Sequence, residues 1–159
     1  ILKRVLKEQS ITSYMQEKLW QPLGMEYGGS WSLDKKKDGL EKTFCCLNAR
    51  ALDFAKFGRF FLHEGNWNGK QLLNKEWVKS STKLDDSEGA TLGYQYQWWK
   101  PGKDESFMAE GILGQYVIVI PQDSLMVVRL GHHRSSETIN SFPSNFYVYI
   151  DEAYEMMGK

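Results

Sequence analysis

The stretch Phe107–Leu130, FMAEGILGQYVIVIPQDSLMVVRL, decides how the rest of the chain is read. It divides into three extended runs, Phe107–Ile112, Gln115–Ile120 and Leu125–Leu130. They are dense in Val, Ile, Leu, Met and Tyr, the composition of strands buried on at least one face. Pro121–Ser124 has the length of an ordinary hairpin connection. Gly111 and Gly114 flank the first bend. A missing side chain there either eases a sheet corner or lets another backbone or a ligand approach closely.

Upstream, Gly93-Tyr94-Gln95-Tyr96-Gln97-Trp98-Trp99 alternates in the manner of a half-buried strand. Before it the pattern becomes helical. Asn74 to about Ser80 reads as a short helix anchored by Trp77, and Gly65–Lys70 as a tight turn. The clearest helix runs from Leu47 to Leu62, with Leu47, Ala51, Phe54, Ala55, Gly58, Phe61 and Leu62 on one stripe and Asn48 as its N-cap. Gly28–Gly39, with Lys35-Lys36-Lys37, reads as a solvated loop. A helix from Thr12 to Trp20 is ended by Pro22 and Gly24. Ile1–Lys7 is already amphipathic, with no Met, signal peptide or N-cap before it, so the chain reads as part of something longer. Downstream, polar Gly131–Asn140 carries His132-His133, and a last helix is predicted from Ser144 to Met157. Two histidines without a third ligand at a useful spacing favour a solvated loop over a metal site. Helices, then an antiparallel sheet, then one closing helix make the fold class α+β.

Composition narrows the function classes. The chain has 159 residues, 42% apolar and 14% aromatic, enough for a real core and against disorder. It is read as a single domain over residues 1–159. Twenty basic residues balance twenty acidic ones, which argues against nucleic acid or an anionic membrane as the main partner. No apolar run approaches the roughly 20 residues needed to span a bilayer. Cys45 and Cys46 are adjacent, a placement that does not easily reach disulfide geometry and lacks zinc or redox spacing.

Two segments together resemble the C-terminal half of the serine hydrolases that share the β-lactamase and penicillin-binding-protein fold. One is Tyr14–Met25, YMQEKLWQPLGM, similar to the family's stretch ending in W-x-PLGM. The other is Asn48–Gly58, NARALDFAKFG, similar to its s-a-x-x-D-x-a-x-f-G helix. The pair Gly114–Val117 and Val127–Leu130 fits the same pattern, and the matches keep the family's order over nearly the whole chain. The branch containing 6-aminohexanoate-dimer hydrolase and related esterases looks nearest. The resemblance implies a partial β-lactamase/transpeptidase-like fold: an antiparallel sheet flanked by helices, lacking its N-terminal part.

It also implies bacterial-type hydrolase chemistry, with no cofactor and no metal. In the family a serine in S-x-x-K attacks a carbonyl while its lysine and a Y-x-N tyrosine move protons, and water releases the acyl-enzyme. A third motif, usually K-T-G or H-x-G, lies on a sheet-edge strand, and the N–H beyond its glycine helps hold the oxyanion. Aligned by that glycine, the motif here is Ala109-Glu110-Gly111, followed by Ile112. Gly111 would then let substrate lie against the strand, and Ile112 would give the oxyanion N–H. Ala109 stands where a Lys or His would meet a β-lactam carboxylate, so an amide or ester without one fits better. Glu110 faces either cleft or solvent. Cys46, near the substrate side by resemblance, either lines the pocket or packs as a small side chain. Trp98 and Trp99 are candidates for an aromatic wall or for core.

The nucleophile is harder to place. Ser80-Ser81-Thr82-Lys83 and Ser32-Leu33-Asp34-Lys35 match S-x-x-K in letters. The chemistry needs the serine at the start of a buried helix. Ser80 instead ends a helix, and Ser32 sits in a charged loop. The chain has no Y-x-N or S-x-N. It is therefore expected to be inactive alone, to belong to a parent that cleaves a small-molecule amide or ester, and to self-associate or join a missing N-terminal half. The alternatives are a non-catalytic binding module with the same cleft, or an unrelated small α+β domain. Family members are often extracytoplasmic, and the sequence leaves the compartment open.

Overall fold

The protein is described by a computed structural model over residues 1–91, 93–101 and 105–159. Contacts gather into two compact units, Ile1–Lys56 and Phe57–Lys159. No helix among the described residues is long and apolar enough to cross a membrane.

The second unit is organised by a five-stranded antiparallel sheet. In chain order its strands are β5 (Tyr94–Gln95), β6 (Trp98–Trp99), β7 (Phe107–Glu110), β8 (Tyr116–Ile120) and β9 (Leu125–Arg129), and the spatial order is the same. Every residue of β8 is buried. Tyr116, Ile118 and Ile120 join Met108, Phe142 and Phe146 on one face, against helix α5 (Ser144–Met156). On the other face Val119 packs with Trp98 and Phe107 against Phe57, Phe61 and Leu62. Those three come from the second half of helix α3 (Ala51–Leu62). Side chains alternate across a strand, so a run of five apolar residues serves two layers at once. Gly58 shows how tightly α3 sits: a Cβ there would lie 3.0 Å from Val117 Cγ1 and 3.2 Å from Met126 Sδ.

Connections fix the register. A 3₁₀ turn, Pro121–Asp123, joins β8 to β9, closed by Ser124 at φ 51°. Asp123 also ties down the end of α5, accepting from Tyr154 Oη at 2.8 Å and Lys159 Nζ at 2.6 Å. Helix α4 (Lys75–Thr82) starts at Asn74, whose Oδ1 accepts from the Trp77 N–H at 3.0 Å. The Gly65–Lys70 turn is a small hairpin of β3 (Asn66–Trp67) and β4 (Lys70–Gln71). A second, β10 (Thr138–Ile139) with β11 (Phe142–Pro143), leads into α5.

The first unit holds helix α1 (Leu2–Leu6) and helix α2 (Ile11–Met15), which continues as a π-helical turn, Gln16–Trp20. Strands β1 (Ser30–Trp31) and β2 (Leu47–Asn48) pair antiparallel. Glu41 accepts from the N–H and hydroxyl of Thr12, and the buried Asp53 accepts from the Glu26 N–H at 2.9 Å.

Four expectations need correction. The Gly93–Trp99 alternation is not one strand but the β5–β6 hairpin, because Tyr96 (φ 46°) and Gln97 (φ 74°) form a two-residue left-handed turn. The long helix starts at Ala51, not Leu47, because Leu47 and Asn48 pair with Trp31 and Ser30 in a ladder. Asn48 therefore does not cap it. β7 is not an edge strand: β6 lies outside it, pairing at Trp99 with Met108. Cys45 and Cys46 form a disulfide between neighbouring residues, with Cys46 at φ 71°. A left-handed backbone at the second cysteine lies outside the ordinary extended geometry on which the contrary expectation rests.

Candidate functional site

The end of β7 is where the third-motif residues come together. Met108 and Glu110 lie on the α5 face, while Ala109 packs with the Trp98–Phe107–Val119 cluster on the other face. Past Glu110 the strand turns through a tied bend. The Gly111 N–H donates to the Gln115 carbonyl at 2.8 Å, and the Gly114 N–H to the Gly111 carbonyl at 2.9 Å. The Leu113 N–H donates to Gln115 Oε1 at 3.2 Å, and Gln115 Nε2 donates to the Gly131 carbonyl at 2.5 Å. Ile112 is left over: its N–H donates to no acceptor among the described residues, and the residue is 81% exposed. Gly114 needs its φ of 76°, and its carbonyl accepts from Arg129 Nη1. At Gly111 the place a Cβ would occupy is taken by the Gln115 side chain, so that glycine admits a neighbour within the bend.

A cavity of about 420 Å³ opens on the α5 face beside this bend. Glu110, Gly111, Ile112, Trp99, Phe142 and Arg134 line it, together with Ser136 and Thr138. Glu110 Oε1 accepts from Arg134 Nη1 at 3.2 Å, with the Glu110 side chain only 10% exposed and Arg134 47%. Burial raises the Glu110 pKa above the usual carboxylate value, against the pull of Arg134. Tyr116 lies directly across the ladder from Glu110. Its hydroxyl is buried with no hydrogen-bond partner among the described residues. Its pKa is raised, first by burial and then by the Glu110 charge, against Arg129 and Arg134.

The remaining candidates fall elsewhere. Cys46 is exposed and bonded to Cys45, in the first unit. Ser80 lies in the last turn of α4 with Lys83 just past its end, and Ser32 lies outside any helix. Neither stands at a helix N-terminus. Trp98 is core at 5% exposure, and Trp99 faces the cavity. No group of three or more His, Cys, Asp or Glu that could hold a metal ion occurs among the described residues.

Comparison of the fold with solved structures supplies the deciding observation. The chain superposes on a structure from Bacillus anthracis described as a 6-aminohexanoate-dimer hydrolase, with a TM-score of 0.74 and 25% identity over 97% of this chain. The chain shares the β-lactamase-like fold and resembles the serine hydrolases built on it. A structure from Bacteroides dorei DSM 17855 described as a β-lactamase shares the β-lactamase-like fold, with a TM-score of 0.62 and 16% identity over 88% of this chain. The chain spans 39% of the length of the first and 50% of the second. No protein-family model and no curated protein matches the sequence. In this β-lactamase-like chain, sequence reading missed Arg134, Phe142 and the orphaned phenol of Tyr116. Arg134 sits in a polar loop whose pattern carries no period, and only the fold brings it beside Glu110.

Proposed function

We propose that this chain forms one wall of the acyl-transfer cleft of a serine hydrolase that cleaves an amide or ester. The attacking serine stands outside these 159 residues. The observation that carries the reading is the unused N–H of Ile112, exposed at the bend after β7 and beside an open cavity. In the reaction the serine oxygen adds to the carbonyl carbon, and the carbonyl oxygen gains negative charge. A fixed N–H aimed at that charge stabilises the tetrahedral state more than the ground state. Collapse expels the amine or alcohol with a proton, and water then cleaves the acyl-serine ester. Ala109 packs on the other face of β7 and takes no part in this cavity.

On this reading the polypeptide alone has no turnover, because neither S-x-x-K match stands at a helix start. Exposed Ile112, Leu113 and Leu130 favour self-association or completion by a serine-bearing half. The test is a fluorophosphonate label and p-nitrophenyl butyrate turnover. The chain alone takes no label. Joined to the serine-bearing half of a related hydrolase it is labelled and active, and Ile112→Pro, which deletes the N–H, lowers kcat by roughly 10²–10³-fold. Labelling of the isolated chain, or an unchanged kcat in Ile112→Pro, overturns the reading.

A further inference from the structure

We infer that the cavity beside the β7 bend is a subsite for a neutral secondary amide carried by the substrate away from the bond that is cleaved. The inference rests on the acyl-transfer reading for the word substrate. The ligand chemistry is carried independently by Glu110 and Arg134.

Glu110 is a nearly buried carboxylate with one oxygen engaged. Oε1 takes the Arg134 Nη1 at 3.2 Å, and Oε2 accepts nothing among the described residues. That oxygen is not sealed from solvent, so a ligand N–H placed there exchanges for water and gains a hydrogen bond to a charged acceptor. Arg134 is half exposed, and a guanidinium has five N–H donors, of which this contact uses one. An acceptor and a set of donors therefore stand side by side on one wall, with opposite charges that cancel at short range. A cationic amine would meet Arg134, and a carboxylate would meet Glu110. A group that is neutral overall and offers a donor and an acceptor a few ångströms apart satisfies both. A secondary amide does this with its N–H on Glu110 Oε2 and its carbonyl on Arg134.

The aromatic wall favours the same ligand over a sugar. Trp99 meets Phe142 edge to face at 6.1 Å and 90°, and Tyr94 lies tilted against it at 4.6 Å. With two rings already packed against it, Trp99 has less free ring face for a sugar to stack on. A flat amide needs only a narrow slot between such edges. Gly111 and Ile112 line the same cavity, so an amide held there lies next to the proposed oxyanion donor.

The experiment is a titration of the ¹⁵N-labelled chain, read at the Gly111, Ile112 and Arg134 amides by NMR. N-methylacetamide, which carries a single secondary amide, is the probe. N,N-dimethylacetamide lacks its N–H, and methylammonium, acetate and methyl glucoside stand for the rival chemistries. Saturable shifts with the probe, and binding at least roughly tenfold weaker for the dimethylamide, are expected from loss of a hydrogen bond to a charged acceptor. Glu110→Gln and Arg134→Met, each checked for native peak dispersion, should weaken the probe similarly. Equal binding of the dimethylamide, tighter binding of any rival, or no shift at these residues overturns the proposal. None of these results depends on a serine, so the hydrolase reading stands or falls separately on the fluorophosphonate label.

Discussion

Glu110 and Tyr116 stand directly opposite one another on β7 and β8, an almost buried carboxylate facing a buried phenol whose hydroxyl has no partner among the described residues. Opposed residues on neighbouring strands approach within a few ångströms, so the Glu110 charge adds to burial in raising the Tyr116 pKa. Both pKa values are raised, and burial is the leading cause for each.

The pair sets a pH dependence. The folded Glu110 pKa lies above its ordinary value of 4.5, so between the two values the folded state binds more protons than the unfolded state. Stability therefore falls as pH rises from about 4.5 through the folded pKa. Glu110→Gln removes that slope. The difference in Tm between variant and wild type should favour the variant progressively from pH 4 to pH 7. A difference that stays constant across that range counts against a carboxylate destabilised by burial.

Gly114 should not accept a side chain. Its φ of 76° suits glycine, and a Cβ would stand 2.6 Å from Arg129 Nη1 and 3.0 Å from the His133 carbonyl. Arg129 Nη1 donates to both the Gly114 and His133 carbonyls, so moving it would break the bend's ties. Gly114→Ala is expected to cost about 1–3 kcal/mol in urea unfolding. It should also shift the Ile112 amide resonance. A neutral result means the bend tolerates other geometry.

The α5 layer gives a contrast within one helix. Phe146 is 1% exposed and packs with Tyr116 and Phe142, whereas Val148 is 51% exposed. Phe146→Ala should cost about 3–5 kcal/mol through lost burial and a residual cavity. Val148→Ala should change stability by about 0.5 kcal/mol or less. Similar losses in the two variants would contradict the packing of α5 on the sheet.

The cysteines give a direct chemical check. Cys45 and Cys46 are bonded to each other, and no free cysteine remains. Denatured without reductant, the chain should gain no mass from iodoacetamide. After reduction it should gain two carbamidomethyl groups. Alkylation before reduction would show free thiols.

Local pattern was enough for the sheet's inner strands, the turn after Ile120, the closing helix and the short helix around Trp77. Burial of alternate side chains imposes a short period that a one-dimensional string retains. The resemblance in fold was legible in the motif order, in the W-x-PLGM stretch and the Asn48–Gly58 pattern. Wherever backbone dihedrals decided the outcome, the string was misleading. Left-handed Tyr96 and Gln97 fold an apparent strand into a hairpin, and Leu47 and Asn48 join a ladder instead of a helix. The cavity belongs to the tertiary structure alone. Glu110 and Arg134 are separated by 24 positions, and their meeting depends on how β9 hands the chain to the following loop. Which side of β7 carries the carboxylate, and which N–H is left without an acceptor, follow from the pleat and the bend. Residue order determined which polar groups and which fold the chain carries, and packing in three dimensions decided where those groups meet and can be reached.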